Sequence, residues 1–165
     1  MPTVNLLENW QGDASGLVRA QRLESVLTLT NAKRAKAITF PAPLGADYGL
    51  EGKFRMPAGY SSAPKIVAAG VLGGTPAGTL ALAYQDLPVA LSESVDAAYG
   101  SEKTASNGTW TGYVAKDIYK LEITLTAGDY AAGDEVLYKF VRDATSDTFG
   151  GKFLLLTLEL DYTAA

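Results

Sequence analysis

The run KFLLLTLELDYTAA, residues 152–165, constrains the fold more than any other stretch of the chain. Read in steps of two, it places Leu154, Leu156, Leu158, Leu160 and Tyr162 on one face, and a period of two is that of a β-strand. Thr157, Glu159 and Asp161 fall on the opposite face, but so do Phe153 and Leu155. Burying one leucine is worth about 1.5–3 kcal/mol, and a slip by one residue turns the whole apolar set outward, so the register of such a strand is firmly held. On this reading the leucines face the core, and Phe153 and Leu155 need cover from outside. The cover is either the N-terminal segment with Leu6, Leu7 and Trp10, or a second copy of the protein; an arm exchanged between subunits satisfies both.

The same alternation recurs upstream. Leu50, Gly52, Phe54 and Met56 oppose Glu51, Lys53 and Arg55; Tyr119, Leu121, Ile123 and Leu125 oppose Lys120, Glu122 and Thr124. Residues 65–72 (KIVAAGVL) are apolar on both faces, as expected of a central strand. Further strands are expected over residues 78–86, 135–143 and 152–162. Residues 26–30 and 37–40 form a predicted hairpin, with residues 31–36 as its turn and the basic cluster Lys33–Lys36 as a solvated loop. Residues 87–117 read as a long loop holding a short strand or hairpin, with Asn107-Gly108 as a hairpin-turn signal. Turn signals about every 8–12 residues and almost no helical period predict an all-β antiparallel β-sandwich or jelly roll of about eight strands with an N-terminal arm. The break at residues 41–45 (PAPLG) divides residues 1–45, arm and hairpin, from a sandwich over residues 46–165.

Composition narrows the chemistry. The chain has no Cys and no His, which excludes Ser-His-Asp triads, Cys-His dyads and zinc sites built on those ligands. Acid–base work would fall to carboxylates, Lys or Tyr. A net charge of −4 argues against nucleic acid as a partner, and no apolar run approaches the roughly 18 residues of a membrane helix. The start Met1-Pro2-Thr3 lacks the pattern of a secretory signal. Asp129, Asp134, Asp143 and Asp147 lie near loop tips, where Asp either forms turns or binds calcium; the spacing around Asp143 and Asp147 is not that of an EF-hand. Arg142 and Asp143 end a strand and could tie a loop down through a charged hydrogen bond. Tyr99, Trp110, Tyr113 and Tyr119 gather in sequence around the long loop; such rings serve first the core or a protein interface, and exposed ones there would suit a glycan. No catalytic, metal or cofactor residues are assigned; Leu6, Leu7, Trp10, Phe153 and Leu155 are the candidate interface.

The run FRMPAGY, the strand KIVAAGVLGG and the stretch AAGDEVLYKFVRDATSDTFGGKFLLLTLELDY resemble tailed-bacteriophage virion proteins, namely capsid cement (decoration) proteins and head-fibre or tail-associated proteins of β-sandwich type. The likeness spans about residues 48–163. It implies a non-enzymatic structural protein on the capsid exterior, self-associated as a homotrimer and bound to the major capsid protein, with no nucleic acid, membrane or cofactor. A tail or fibre module that binds a host receptor or carbohydrate is the alternative it leaves open.

Overall fold

In the computed structural model, residues 2–7, 24–28, 34–41 and 46–165 are described, with 24–28 and 34–36 as backbone alone. The described residues contain ten strands: β1 Thr3–Asn5, β2 Glu24–Thr28, β3 Arg34–Phe40, β4 Tyr48–Arg55, β5 Tyr60–Leu72, β6 Leu80–Val89, β7 Lys103–Asn107, β8 Ile118–Thr124, β9 Glu135–Arg142 and β10 Phe153–Ala164. They form two antiparallel sheets. The first has the order β2-β3-β10-β5-β8, and β1 joins it beside β10; the second has the order β4-β9-β6-β7. The protein is an antiparallel β-sandwich.

The two sheets meet over a shared core. Phe40 of β3 packs edge-on against Phe140 of β9, with ring centroids 6.0 Å apart. Tyr138 of β9 stacks on Tyr84 of β6 and donates its hydroxyl to the carbonyl of Leu6 at 3.0 Å. In β4 and β8 the alternation works as expected: Leu50, Phe54, Tyr119, Leu121 and Ile123 are buried, while Lys53, Arg55, Lys120 and Glu122 are exposed. The doubly apolar segment 65–72 is indeed central, lying between β10 and β8, although its strand begins earlier, at Tyr60.

The last strand corrects the sequence reading. Phe153 and Leu155 lie fully buried in the main core, together with Leu158, Leu160 and Tyr162. Leu154 points outward and packs with Ala37 and Val71 in a small second cluster, against which Leu156 is partly buried. The cause is a β-bulge. Leu155 pairs with Gly70 and Thr157 pairs with Ala69, so Leu156 is an extra residue with no partner on β5. One inserted residue inverts the parity of everything before it relative to everything after it. Gly70 completes the fit: a Cβ there would lie 2.5 Å from the Phe153 ring, so only glycine leaves room for that ring to turn inward.

Residues 3–6 pack onto the last strand of the same chain. β1 pairs with residues 159–161 of β10, and the amide of Leu6 donates to the carbonyl of Leu158 at 2.8 Å. β2 and β3 form the expected hairpin, with Thr28 opposite Arg34, so Arg34 and Lys36 belong to a strand and not to its turn. β3 then pairs with residues 153–155 of β10, which ties the hairpin into the same sheet as β1. Of the short strand or hairpin expected within residues 87–117, the structure has the short strand, β7, and no hairpin turns at Asn107-Gly108. β7 ends there and pairs back onto β6, and the Asn107 side chain instead closes a local turn by accepting from the amide of Thr109 at 3.2 Å.

The inverted parity is checkable. Phe153→Ala should lower the unfolding free energy by about 3–5 kcal/mol, whereas Glu159→Ala on the outer face should change it by no more than about 0.5 kcal/mol. Urea titrations followed by circular dichroism separate the two, and equal small effects would return Phe153 to the outside.

Candidate functional site

The inner face of β9 reads Val136, Tyr138, Phe140 and then Arg142, a guanidinium in line with core side chains. Arg142 is buried and its donors are all met. Nε and Nη2 reach the two carboxylate oxygens of Asp147 at 2.8 and 2.7 Å, a bidentate pair. Nη1 donates to the carbonyls of Phe40, Pro41 and Gly151, and Nη2 also donates to that of Phe149. The expected tie between a strand-end arginine and a loop therefore exists, but its partner is Asp147 and not Asp143. Asp143 follows Arg142 on the strand, so its side chain points the other way and accepts from the amide of Thr145 at 2.9 Å.

The guanidinium starts a chain of tilted and edge-on ring contacts that ends in solvent. Its central carbon lies 5.4 Å from the centroid of the Phe149 ring. Phe149 meets Trp110 at 5.4 Å, Trp110 meets Tyr119 at 5.1 Å, and Tyr119 meets Tyr113 edge-on at 5.1 Å. Phe149 and Tyr119 are buried, Trp110 is half-buried and Tyr113 is exposed. Two large apolar neighbours of Tyr113, Val114 and Ile118, are also exposed, at 63% and 64%.

This outer end is held in place. The indole Nε1 of Trp110 donates to the carbonyl of Gly78 at 2.7 Å. The amide of Tyr113 closes a tight turn onto the carbonyl of Trp110 at 3.0 Å, with Gly112 at φ +82° supplying the left-handed residue that turn needs. A second turn follows, in which the amide of Val114 donates to the Asp117 carboxylate at 2.8 Å and the amide of Lys116 to the carbonyl of Leu72 at 2.7 Å. Tyr113 is thus presented on a short, doubly pinned loop against a rigid aromatic backing.

At the other end of the sandwich lies a buried polar group of a different kind. Asp86 accepts from Lys103 Nζ at 3.1 Å and from the hydroxyl of Tyr130. Tyr84 Oη is buried nearby with no hydrogen-bond partner. Burial, followed by the hydrogen bond to Asp86, pushes the Tyr130 hydroxyl far above its ordinary value of 10.0. Burial, followed by the Asp86 charge, pushes Tyr84 up as well, and burial alone does so for Tyr138. Of the four aspartates buried among the described residues, Asp86 and Asp147 are engaged at short range with cations of the same chain, Asp143 accepts from a loop amide, and Asp161 lies 3.9 Å from Lys65 Nζ with its Oδ1 buried and without a hydrogen-bond partner.

The sequence-predicted interface residues are distributed differently from the expectation. Leu6, Phe153 and Leu155 are core residues, Leu7 is half-buried against the core, and Trp10 lies outside the described residues. Of the four ring residues around the long loop, the structure brings Trp110, Tyr113 and Tyr119 together, while Tyr99 lies near Glu51 of β4. Phe149, the link between this group and Arg142, went unnoticed in sequence. Its one signal is a lone aromatic residue in an otherwise polar loop. Asp134, Asp143 and Asp147 are turn formers whose carboxylates accept loop amides. Among the described residues no three Asp or Glu side chains gather closely enough to hold a metal ion.

No protein-family model matches the chain, and no curated protein is similar to it in sequence. Similar solved structures include the CBM36-1 domain of a multidomain xylanase from the hindgut metagenome of Trinervitermes trinervoides, at 5% identity and a TM-score of 0.45 over 99% of this chain and 98% of that one. Another is Caldicellulosiruptor saccharolyticus CBM27-1 in complex with mannohexaose, at 11% identity and a TM-score of 0.45 over all of both chains. The enzymatically active domain of bacteriophage CBA120 tailspike protein 4 matches 74% of this chain but 15% of its own, at 10% identity and a TM-score of 0.36. At identities of 5–11% the likeness is one of strand layout.

Removing the Asp147 carboxylate leaves the guanidinium buried and unpaired. Asp147→Ala should therefore cost about 3–5 kcal/mol in chemical denaturation, and should broaden the near-ultraviolet signal of Trp110 as Phe149 loosens. The buried tyrosines set an alkaline limit. Tyr84, Tyr130 and Tyr138 keep their protons in the folded state, whereas the unfolded chain loses them near pH 10. Their contribution is whole below that pH and declines above it, by about 1.4 kcal/mol per pH unit for each tyrosine. Denaturant titrations from pH 8 to 12 should show stability falling only above about pH 10, with tyrosinate absorbance rising abruptly at unfolding.

Proposed function

We propose that this protein is a non-enzymatic binding domain whose ligand is carbohydrate, taken up at the Tyr113 end of the aromatic ladder. The observation that carries the reading is the ladder itself, an exposed tyrosine pinned by two turns and backed by Tyr119, Trp110 and Phe149 down to a buried guanidinium. The face of an aromatic ring is electron-rich and apolar, and it suits the C–H face of a pyranose. A rigid tyrosine adds contact area at little cost in conformational entropy, and its hydroxyl adds one polar contact. Exposed Val114 and Ile118 extend the apolar surface beside it.

The resemblance to virion proteins fits this reading as a tail or fibre module that meets a host surface. It fits capsid cementing less well. That role follows from the resemblance, and one feature that agreed with it, an outward apolar face at Phe153 and Leu155, is absent, because both residues are in the core.

A panel of neutral plant, bacterial-wall and capsular oligosaccharides, titrated by calorimetry and Trp fluorescence, tests the proposal. Tyr113→Ala should weaken the binding of any hit at least tenfold, while a distant exposed change such as Lys53→Ala leaves it intact. Binding unaffected by Tyr113→Ala, or no hit across the panel, would overturn it.

A further inference from the structure

Among the described residues five large apolar side chains stand exposed, and Tyr113 is the one ring among them. Leu91 and Val95 are aliphatic and belong to the loop after β6, where the amide of Ala90 donates to the Glu93 carboxylate at 2.9 Å and the amide of Glu93 to the carbonyl of Ala90 at 3.1 Å. Behind Tyr113, Tyr119 and Phe149 are buried and Trp110 is half-buried. The ladder therefore shows solvent a single platform.

The sheet faces add no second one. In the strands whose side chains are described, every aromatic residue lies in the core or packs against it. The residues that alternate with the core set on β8 are Ile118, Lys120, Glu122 and Thr124. The middle of that outer face is an ion network, in which Glu122 accepts from Lys65 Nζ at 2.8 Å and pairs with Lys120 at 2.9 Å. On the second sheet Glu51, Lys139 and Gln85 face one another across three strands. Tyr99, half-buried near Glu51, does not extend the ladder. The residue after it, Gly100, is bound to Asp86, six positions along β6 from Leu80, which places it about 20 Å from the end where Trp110 reaches Gly78.

From this arrangement we infer that the ligand is the terminal pyranose of a glycan, seated alone on Tyr113, and not a stretch of polymer laid along the protein. The inference rests on the carbohydrate reading proposed above and adds which part of the sugar chain is taken. One ring stacks on one pyranose at a time. An internal sugar is flanked on both sides, and holding its neighbours takes further rings or a groove beside the first. A chain end needs only the one platform. Tyr113 stands in the loop between β7 and β8, at the end of the sandwich, where the rest of the glycan can lead away from both sheets. A contact of this size gives a Kd of about a millimolar for a single site.

Chain length is the test. Methyl glycosides of glucose, mannose, xylose and N-acetylglucosamine, and the β-1,4-linked oligomers of two, four and six residues of each, are titrated by NMR and Trp fluorescence. In a series that binds, the Kd per chain should change by less than twofold from the methyl glycoside to the hexamer, and Tyr113→Ala should weaken every member at least tenfold. A larger fall in Kd with length means that internal residues are held; it overturns this inference and leaves the carbohydrate reading standing. Binding that survives Tyr113→Ala, or no binding in any series, overturns both.

Discussion

A guanidinium shut away from water dictates the shape of one whole end of this molecule. Its five N–H donors must all be met inside the protein, because desolvating a cation costs several kcal/mol unless its partners are in place. Asp147 supplies two acceptors, and the carbonyls of Phe40, Pro41, Phe149 and Gly151 supply the rest. These acceptors come from the end of β3 and from the loop between β9 and β10. That loop therefore has one closed conformation and fixes the position of Phe149 within it. Phe149 sets Trp110, Trp110 sets Tyr119, and Tyr119 sets the exposed Tyr113. The orientation of a surface ring is thus decided by an ion pair several side chains beneath it.

The faces of β4 and β8 were legible in the sequence because their alternation runs unbroken against charged residues. β10 was misleading for a physical reason. In Phe153-Leu154-Leu155-Leu156 either parity buries large apolar groups, so the pattern carries no information about a bulge. What decides the matter is the residue across the strand pair. Gly70 leaves an empty place the size of a ring edge, and Phe153 fills it. A pattern of two periods cannot reveal which strand lies opposite. The same limit explains Asn107-Gly108: its turn chemistry was real, but the partner of β7 turned out to be a strand about twenty residues earlier.

The candidate site was legible as residue types and not as an arrangement. Trp110, Tyr113 and Tyr119 stood out as neighbours in sequence, and they meet in space. Tyr99, equally near in sequence, does not join them, because Gly100 is bound back to Asp86 and carries its neighbour toward β4. Phe149 and Arg142 complete the ladder from the far side of the fold. Nothing local marks them, since a strand-end arginine and a single loop phenylalanine are common and their meaning arises only from contact.

Reactive groups and exposed groups are separated in this structure. The buried acids Asp86 and Asp147 are bound to Lys103, Tyr130 and Arg142, while Tyr113, Val114 and Leu91 stand exposed in well-bonded turns. A recognition surface needs what is found here, apolar area held still at a place a partner can reach. Small apolar tips give weak single contacts, and weak contacts become effective when repeated copies engage one surface together.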